Sequence, residues 1–123
     1  MTAPMIDLQI LANAGFPLAK FAPGEVIFAE GEEGDKMFVV RTGEVEIVRG
    51  GKVVETLGPG GIFGEMALID GSPRAATARA KTACEVAPVT EKVFLFLVRE
   101  TPDFAIAVMR RLAERLRRQA PVT

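Results

Sequence analysis

The chain has 123 residues, 49% of them apolar, with 15 basic residues set against 16 acidic ones. That length fits one domain around one core, and the near balance of charge removes any global electrostatic drive toward nucleic acid or a membrane. A single cysteine, Cys84, and the complete lack of histidine exclude an internal disulfide and a metal site built on several thiolates, and remove the commonest general base and transition-metal ligand.

The opening Met1–Asp7 has no basic segment followed by a long apolar one, so it does not read as a signal peptide. The apolar stretch Ile6–Ala14, with Asp7 near its start, Gly15 interrupting it and Pro17 closing it, predicts a helix of one to two turns. From residue 18 to 90 the pattern changes to short β-branched and aromatic runs divided by glycine. Val26–Phe28 follows the turn Pro23-Gly24, Met37–Val40 follows Gly31 and Gly34, and Val45, Ile47, Val53 and Val54 flank Gly50-Gly51. A Gly-Gly pair between two such runs predicts a type I′ hairpin, because both central residues need positive φ. An unbroken register through that hairpin sets Arg49 opposite Lys52, Ile47 opposite Val54 and Val45 opposite Thr56. Strands recurring every eight to twelve residues predict a jelly-roll-like antiparallel β-roll rather than βαβ units. Two more strands are expected at Arg74–Ala80 and Ala83–Val89, the second burying Cys84 as a packing residue.

Beyond residue 90 the period becomes helical. Glu91–Arg99 is strongly apolar, with Phe94 and Phe96 expected in packing. Asp103–Ala120 repeats Phe104, Val108, Leu112 and Leu116 at four-residue intervals, starting after Pro102 and stopping at Pro121. Arg110, Arg111, Arg115, Arg117 and Arg118 are expected to form the solvated face opposite that stripe. The longest apolar run, Val93–Val98, is far short of the roughly 20 residues of a membrane span. The expectation is therefore one cytoplasmic domain over 1–123, mainly β with flanking helices: a helical segment at 1–17, a β-roll at 18–90 and C-terminal helices at 91–120.

The segment Gly60–Thr77 carries the chemistry. Gly64 permits a sharp turn and close approach of a ligand to the backbone. Glu65–Leu68 suit one helical turn, whose first amides lack intrahelical acceptors and can donate to a phosphate. Gly71-Ser72-Pro73 returns the chain to a strand, and Arg74 at its mouth can fork onto two phosphate oxygens. Ala75 and Ala76 leave nearby amides accessible. A carboxylate at Glu65 would repel a phosphate set directly on it but can accept from a sugar hydroxyl. Each residue alone has a plainer role: Glu65 as a helix N-terminal acid, Arg74 as a loop arginine. The spacing of both with Gly64 and Pro73 favours a site.

Phe63-Gly64-Glu65-Met66-Ala67-Leu68 followed by Pro73-Arg74-Ala75-Ala76-Thr77 resembles the phosphate-binding cassette of the cyclic nucleotide-binding domain, the family of the catabolite activator protein, the cAMP-dependent kinase regulatory subunit and the cyclic-nucleotide-gated channels. The resemblance extends over roughly residues 18–118 and takes in Pro23-Gly24-Glu25 and Glu30-Gly31. It implies a stand-alone, non-enzymatic sensor whose ligand is cAMP or, second, cGMP, with no catalytic residue and no metal. The implied ligand-binding residues are Phe63, Gly64, Glu65, Met66, Ala67, Arg74, Ala75 and Ala76. Glu65 would take the ribose 2′-hydroxyl, Arg74 the cyclic phosphate, and the amides of Met66, Ala67 and Ala75 the rest of the phosphate. Family members preferring cGMP often carry threonine after the arginine, where this chain has Ala75, which tilts the choice to cAMP. The resemblance further implies pairing of two copies through the last helix; a separate effector protein is expected to take the signal, and the balanced charge and short apolar runs predict no direct nucleic-acid or membrane contact. Two other readings are open. One is the ligand-binding part of a transcription regulator without its helix-turn-helix, since no recognition-helix pattern is present. The other is a cupin-like β-roll enzyme, which the lack of histidine disfavours. Gly58–Gly61 is no nucleotide-triphosphate loop, since no Gly-Lys-Ser/Thr follows.

Overall fold

The computed structural model describes residues 16–119, so the helix expected at Ile6–Ala14 and the stop at Pro121 lie outside the described residues. Eight strands come first, interrupted by one short helix. They are β1 (Ala19–Phe21), β2 (Val26–Phe28), β3 (Met37–Thr42), β4 (Val45–Arg49), β5 (Lys52–Leu57), β6 (Ile62–Phe63), β7 (Thr77–Ala80) and β8 (Cys84–Val89), with helix α1 (Glu65–Asp70) between β6 and β7. Helices α2 (Glu91–Glu100) and α3 (Asp103–Gln119) follow. The strands form two antiparallel four-stranded sheets, ordered β1-β8-β3-β6 and β2-β7-β4-β5. Residues 74–76, expected in a strand, instead form the approach to β7.

Strand alternation divides the core in two. Phe38 and Val40 of β3, with Val86 of β8, face inward to Val45, Ile47 and Ala78 of the second sheet. Met37 and Val39 point outward with Ala87 and Val89, and pack under Val93 and Leu97 of α2 and Phe104 and Val108 of α3. The all-apolar run in β3 follows from this: the strand is covered on both faces. Thr90 caps α2 by accepting from the Val93 amide. Phe94 meets Phe104 edge-on at 5.4 Å, and Phe96 meets Phe16 at 5.6 Å, so both phenylalanines pack as expected. Cys84 is buried, and burial raises its thiol pKa, with Glu25 adding to the effect.

The β4–β5 hairpin turns on Gly50 (φ 58°) and Gly51 (φ 79°), as the paired glycines require, and Arg49 does face Lys52. The rest of the expected register is corrected. Val48 pairs with Val53, but Ile47 pairs with Glu55 and Val45 with Leu57. Val54 is thus an extra residue, a β-bulge. The bulge turns Leu57 rather than Thr56 onto the buried face, and burying a leucine in place of a threonine supplies the driving force.

The basic face of α3 is corrected as well. Arg110 and Arg117 are exposed, as expected. Arg111, only 7% exposed, turns inward, and its two terminal nitrogens donate to Glu55 while Nε donates to the Ile62 carbonyl at 3.0 Å. Arg118 reaches Glu55 at 3.2 Å, and Arg115 lies 3.3 Å from Glu65. The stripe also ends early: Phe104 and Val108 are buried, whereas Leu116 is 67% exposed.

Candidate functional site

β6 delivers the chain to the site. Phe63 is fully buried and stacks on Phe38 at 5.3 Å, anchoring the turn that follows. Gly64 adopts φ 75°, a left-handed conformation that costs a side-chain-bearing residue energy. Helix α1 starts directly after it with no side-chain cap, so the first-turn amides are left without the partner that an Asn or Ser would supply. Asp70 closes the far end by accepting from the Ser72 amide at 2.9 Å.

Arg74 enters from the other side of the same hollow and is 6% exposed. Nη1 donates to the Gly64 carbonyl at 2.9 Å and Nη2 to the Lys36 carbonyl at 2.8 Å. Its Cζ lies 4.0 Å from the Phe28 ring centroid, within cation–π range. Among the described residues it makes no ion pair, and Nε is buried without a hydrogen bond. Burial lowers its pKa; the more distant charges of Asp35, Glu32 and Glu65 oppose that shift. The result is a desolvated cation held in place by neutral groups, so its charge is not cancelled locally.

A cavity of about 220 Å³ opens in front of this guanidinium. Of the residues expected at the site, Gly64, Met66, Ala67, Arg74, Ala75 and Ala76 line it. Phe63 stands behind the wall as packing. Glu65 is 0% exposed and is not part of the lining. Its carboxylate accepts no hydrogen bond among the described residues and is covered by Arg115 at 3.3 Å and Arg111 at 3.9 Å. Several lining residues were not expected from the sequence: Phe28, Ile47, Arg49 and Val54 from the roll, Glu55 from β5, and Arg115 and Arg118 from α3. Val54 is the bulge residue. Arg49, whose Nε donates to the Ala75 carbonyl at 3.3 Å, is the arginine next to the Gly-Gly turn, and that position was its only signal. The α3 pair was signalled by arginines at four- and three-residue spacing along one helix face.

Glu55 and the α3 arginines set the charge on the helix side. Burial alone would raise the Glu55 pKa, but hydrogen bonds and charges from Arg111 and Arg118 outweigh it and hold the carboxyl below its usual range. Burial likewise acts to lower the Arg111 pKa, and its bonds to Glu55 carry it above the ordinary value instead. Arg115 has no such bond, and burial leaves its pKa lowered despite the neighbouring Glu65. No group of three or more metal-ligating side chains is assembled among the described residues, and none of the described helices is long and apolar enough to cross a membrane.

The cavity thus combines uncapped helix amides, a buried arginine aimed across them and an apolar wall, an arrangement suited to an anion joined to a partly apolar ring system. Solved structures share this architecture. The Thermus thermophilus catabolite activator protein superposes with a TM-score of 0.76 at 34% identity, covering 89% of this chain and 54% of that one. A structure described as "A cyclic-GMP-dependent signalling pathway regulates bacterial phytopathogenesis" gives a TM-score of 0.74 at 29% identity, covering 95% of this chain and 98% of that one. A structure described as "cAMP bound PfPKA-R" gives 0.69 at 34% identity, covering 83% of this chain and 35% of that one. The chain therefore spans about half of the Thermus protein and about a third of PfPKA-R. Residues 18–101 match the family profile described as the cyclic nucleotide-binding domain, and the chain belongs to that family.

Proposed function

We propose that this domain is a cytoplasmic sensor that binds cAMP in preference to cGMP and passes the signal on by shifting α3. One observation carries the reading: Arg74 is buried, held by two carbonyls rather than a carboxylate, and lines the same cavity as Gly64, Ala67 and Ala75. A cyclic phosphate placed there meets a guanidinium and free peptide donors together. Ala75 lines the cavity without a hydroxyl that could bond a guanine, which supports cAMP.

Coupling to α3 rests on Glu65. In this reading its carboxylate takes the ribose 2′-hydroxyl, and to do so it must exchange its contact with Arg115 for one with the ligand. A ligand shifts such an equilibrium only through differential affinity for the two states, and the Glu65–Arg115 contact supplies that difference. A second copy of the domain is one receiver of the output. Ile106, Met109 and Leu116 are exposed along α3, which supports pairing through that helix, and sedimentation of the wild type beside Met109→Lys reads it directly.

The deciding experiment is calorimetry with cAMP, cGMP and AMP on wild type and Arg74→Ala. Loss of one charged hydrogen bond costs about 1.5–3 kcal/mol, so the variant should bind roughly ten- to hundredfold more weakly. Equal cAMP affinity in both proteins would overturn the assignment, and tighter cGMP binding would overturn the ligand preference.

A further inference from the structure

Arg74 owes its position to an absence of atoms on the loop behind it. The segment between β2 and β3 wraps this arginine by backbone as well as by side chain. The Gly31 amide donates to the Arg74 carbonyl at 2.8 Å, the Arg74 amide donates to the Glu32 carbonyl at 2.8 Å, and the Lys36 carbonyl receives Nη2. Between those anchors lies Gly34. A Cβ built on Gly34 would fall 2.5 Å from Arg74 Cζ and 2.6 Å from Nη2, well inside any tolerable contact. Its Cζ also lies 4.0 Å from the Phe28 ring centroid. The group therefore sits in a slot walled by bare backbone at Gly34 and by an aromatic ring.

We infer that Gly34 is a positioning residue for the phosphate-binding arginine, kept free of a side chain so that Arg74 can lie flat in this slot facing the cavity. The inference rests on the binding role proposed for Arg74. Gly34 does not have the positive φ seen at its neighbour Gly31, so an alanine there meets no backbone strain. The atoms it would strike are the far end of a flexible side chain, which can move aside at little cost to the fold. Substitution should therefore displace the guanidinium while leaving the roll intact, a different result from Gly64→Ala, where φ itself is unfavourable.

The test is Gly34→Ala, alone and combined with Arg74→Ala, with cAMP affinity read by calorimetry and stability by urea unfolding. Displacing the guanidinium should forfeit about one charged hydrogen bond, a loss of roughly tenfold in affinity, with the urea midpoint nearly unchanged. In the Arg74→Ala background the same substitution should have no further effect, because coupled residues are non-additive. The Arg74 Nε–H resonance, identified by its loss in Arg74→Ala, should shift in Gly34→Ala. Wild-type affinity in Gly34→Ala, an equal loss in both backgrounds, or an unmoved Nε–H resonance would each overturn the inference. Failure of the wild type to bind any cyclic nucleotide would instead overturn the functional reading, and the resonance would still judge the slot.

Discussion

Replacing Arg111 by methionine isolates the contact that fixes α3 to the roll. Arg111 is 7% exposed and serves three acceptor atoms: both carboxylate oxygens of Glu55 and the carbonyl of Ile62. Methionine keeps much of the side-chain volume but offers no donor. Glu55, with 15% side-chain exposure, would keep only Arg118, whose own side chain is half exposed, and the Ile62 carbonyl would lose its partner. Removing one member of a buried pair costs about 3–5 kcal/mol. Because Arg118 still compensates Glu55 in part, the lower end applies, about 3 kcal/mol and a fall in Tm of roughly 10 °C for a domain of this size. Urea and thermal unfolding followed by circular dichroism measure it. Adding Glu55→Leu should recover most of the loss, since a well-packed apolar pair can match a buried ion pair. A single variant within 1 kcal/mol of wild type, or a double variant no better than the single, would refute the view that this pair clamps the helix.

Three further outcomes follow from the same geometry. The folded-state pKa of Glu55 lies below its ordinary 4.5, so its contribution is fully present above that value and is lost as pH falls through the folded pKa. Urea unfolding from pH 7 to 3 should show an acid-limb loss that is smaller in Glu55→Gln, and identical limbs would contradict the pairing. Arg115→Gln removes the charge covering Glu65 and should tighten cAMP binding roughly fivefold in calorimetry, within the usual range of coupling energies; weaker binding would show that Arg115 assists the ligand instead. Cys84, buried and with a raised thiol pKa, should react with a thiol reagent in native buffer only as fast as the domain opens, and an immediate reaction would place it at the surface.

Local rules were enough for the backbone features of the site. The Gly50-Gly51 turn, the Gly64 bend and the short helix after it all follow from conformational preferences within a few residues, and they stand where those preferences put them. The bulge was not legible, because Val53, Val54, Glu55, Thr56 and Leu57 fit a strand in either register and only the depth of the core chooses Leu57 for burial. The α3 stripe ends earlier than its four-residue spacing predicts for a geometric reason. With 3.6 residues per turn, each four-residue step overshoots by about 40°, so Leu116 has rotated roughly 120° from Phe104. Arg111, Arg115 and Arg118, seven, eleven and fourteen residues after Phe104, fall within about 40° of it and so face the roll. Their partners Glu55 and Glu65 lie some fifty residues earlier in the chain, and no local pattern announces a pairing at that separation.

The two carboxylates that α3 meets are held in different ways, and the difference marks where the helix can yield. Glu55 is gripped by hydrogen bonds from Arg111, and both groups have pKa values moved toward their charged forms. Glu65 is buried without a hydrogen bond, and the Arg115 beside it has its pKa lowered by burial. An ion pair desolvated without hydrogen bonds recovers little of its desolvation cost, so the Arg115 contact holds the helix much more weakly than the Arg111 contact one turn earlier. Beyond it, Leu116 is exposed and buries little against the roll. Attachment therefore weakens along α3 from Phe104 and Val108 through Arg111 to Arg115, and past it the half-exposed Arg118 reaches back to Glu55. A ligand hydroxyl offered to Glu65 would give that carboxylate the hydrogen bond it lacks. The exchange would act at a weakly secured turn of the helix, beside the Arg111–Glu55 clamp, and Arg118 would have to release Glu55 for the end of α3 to shift.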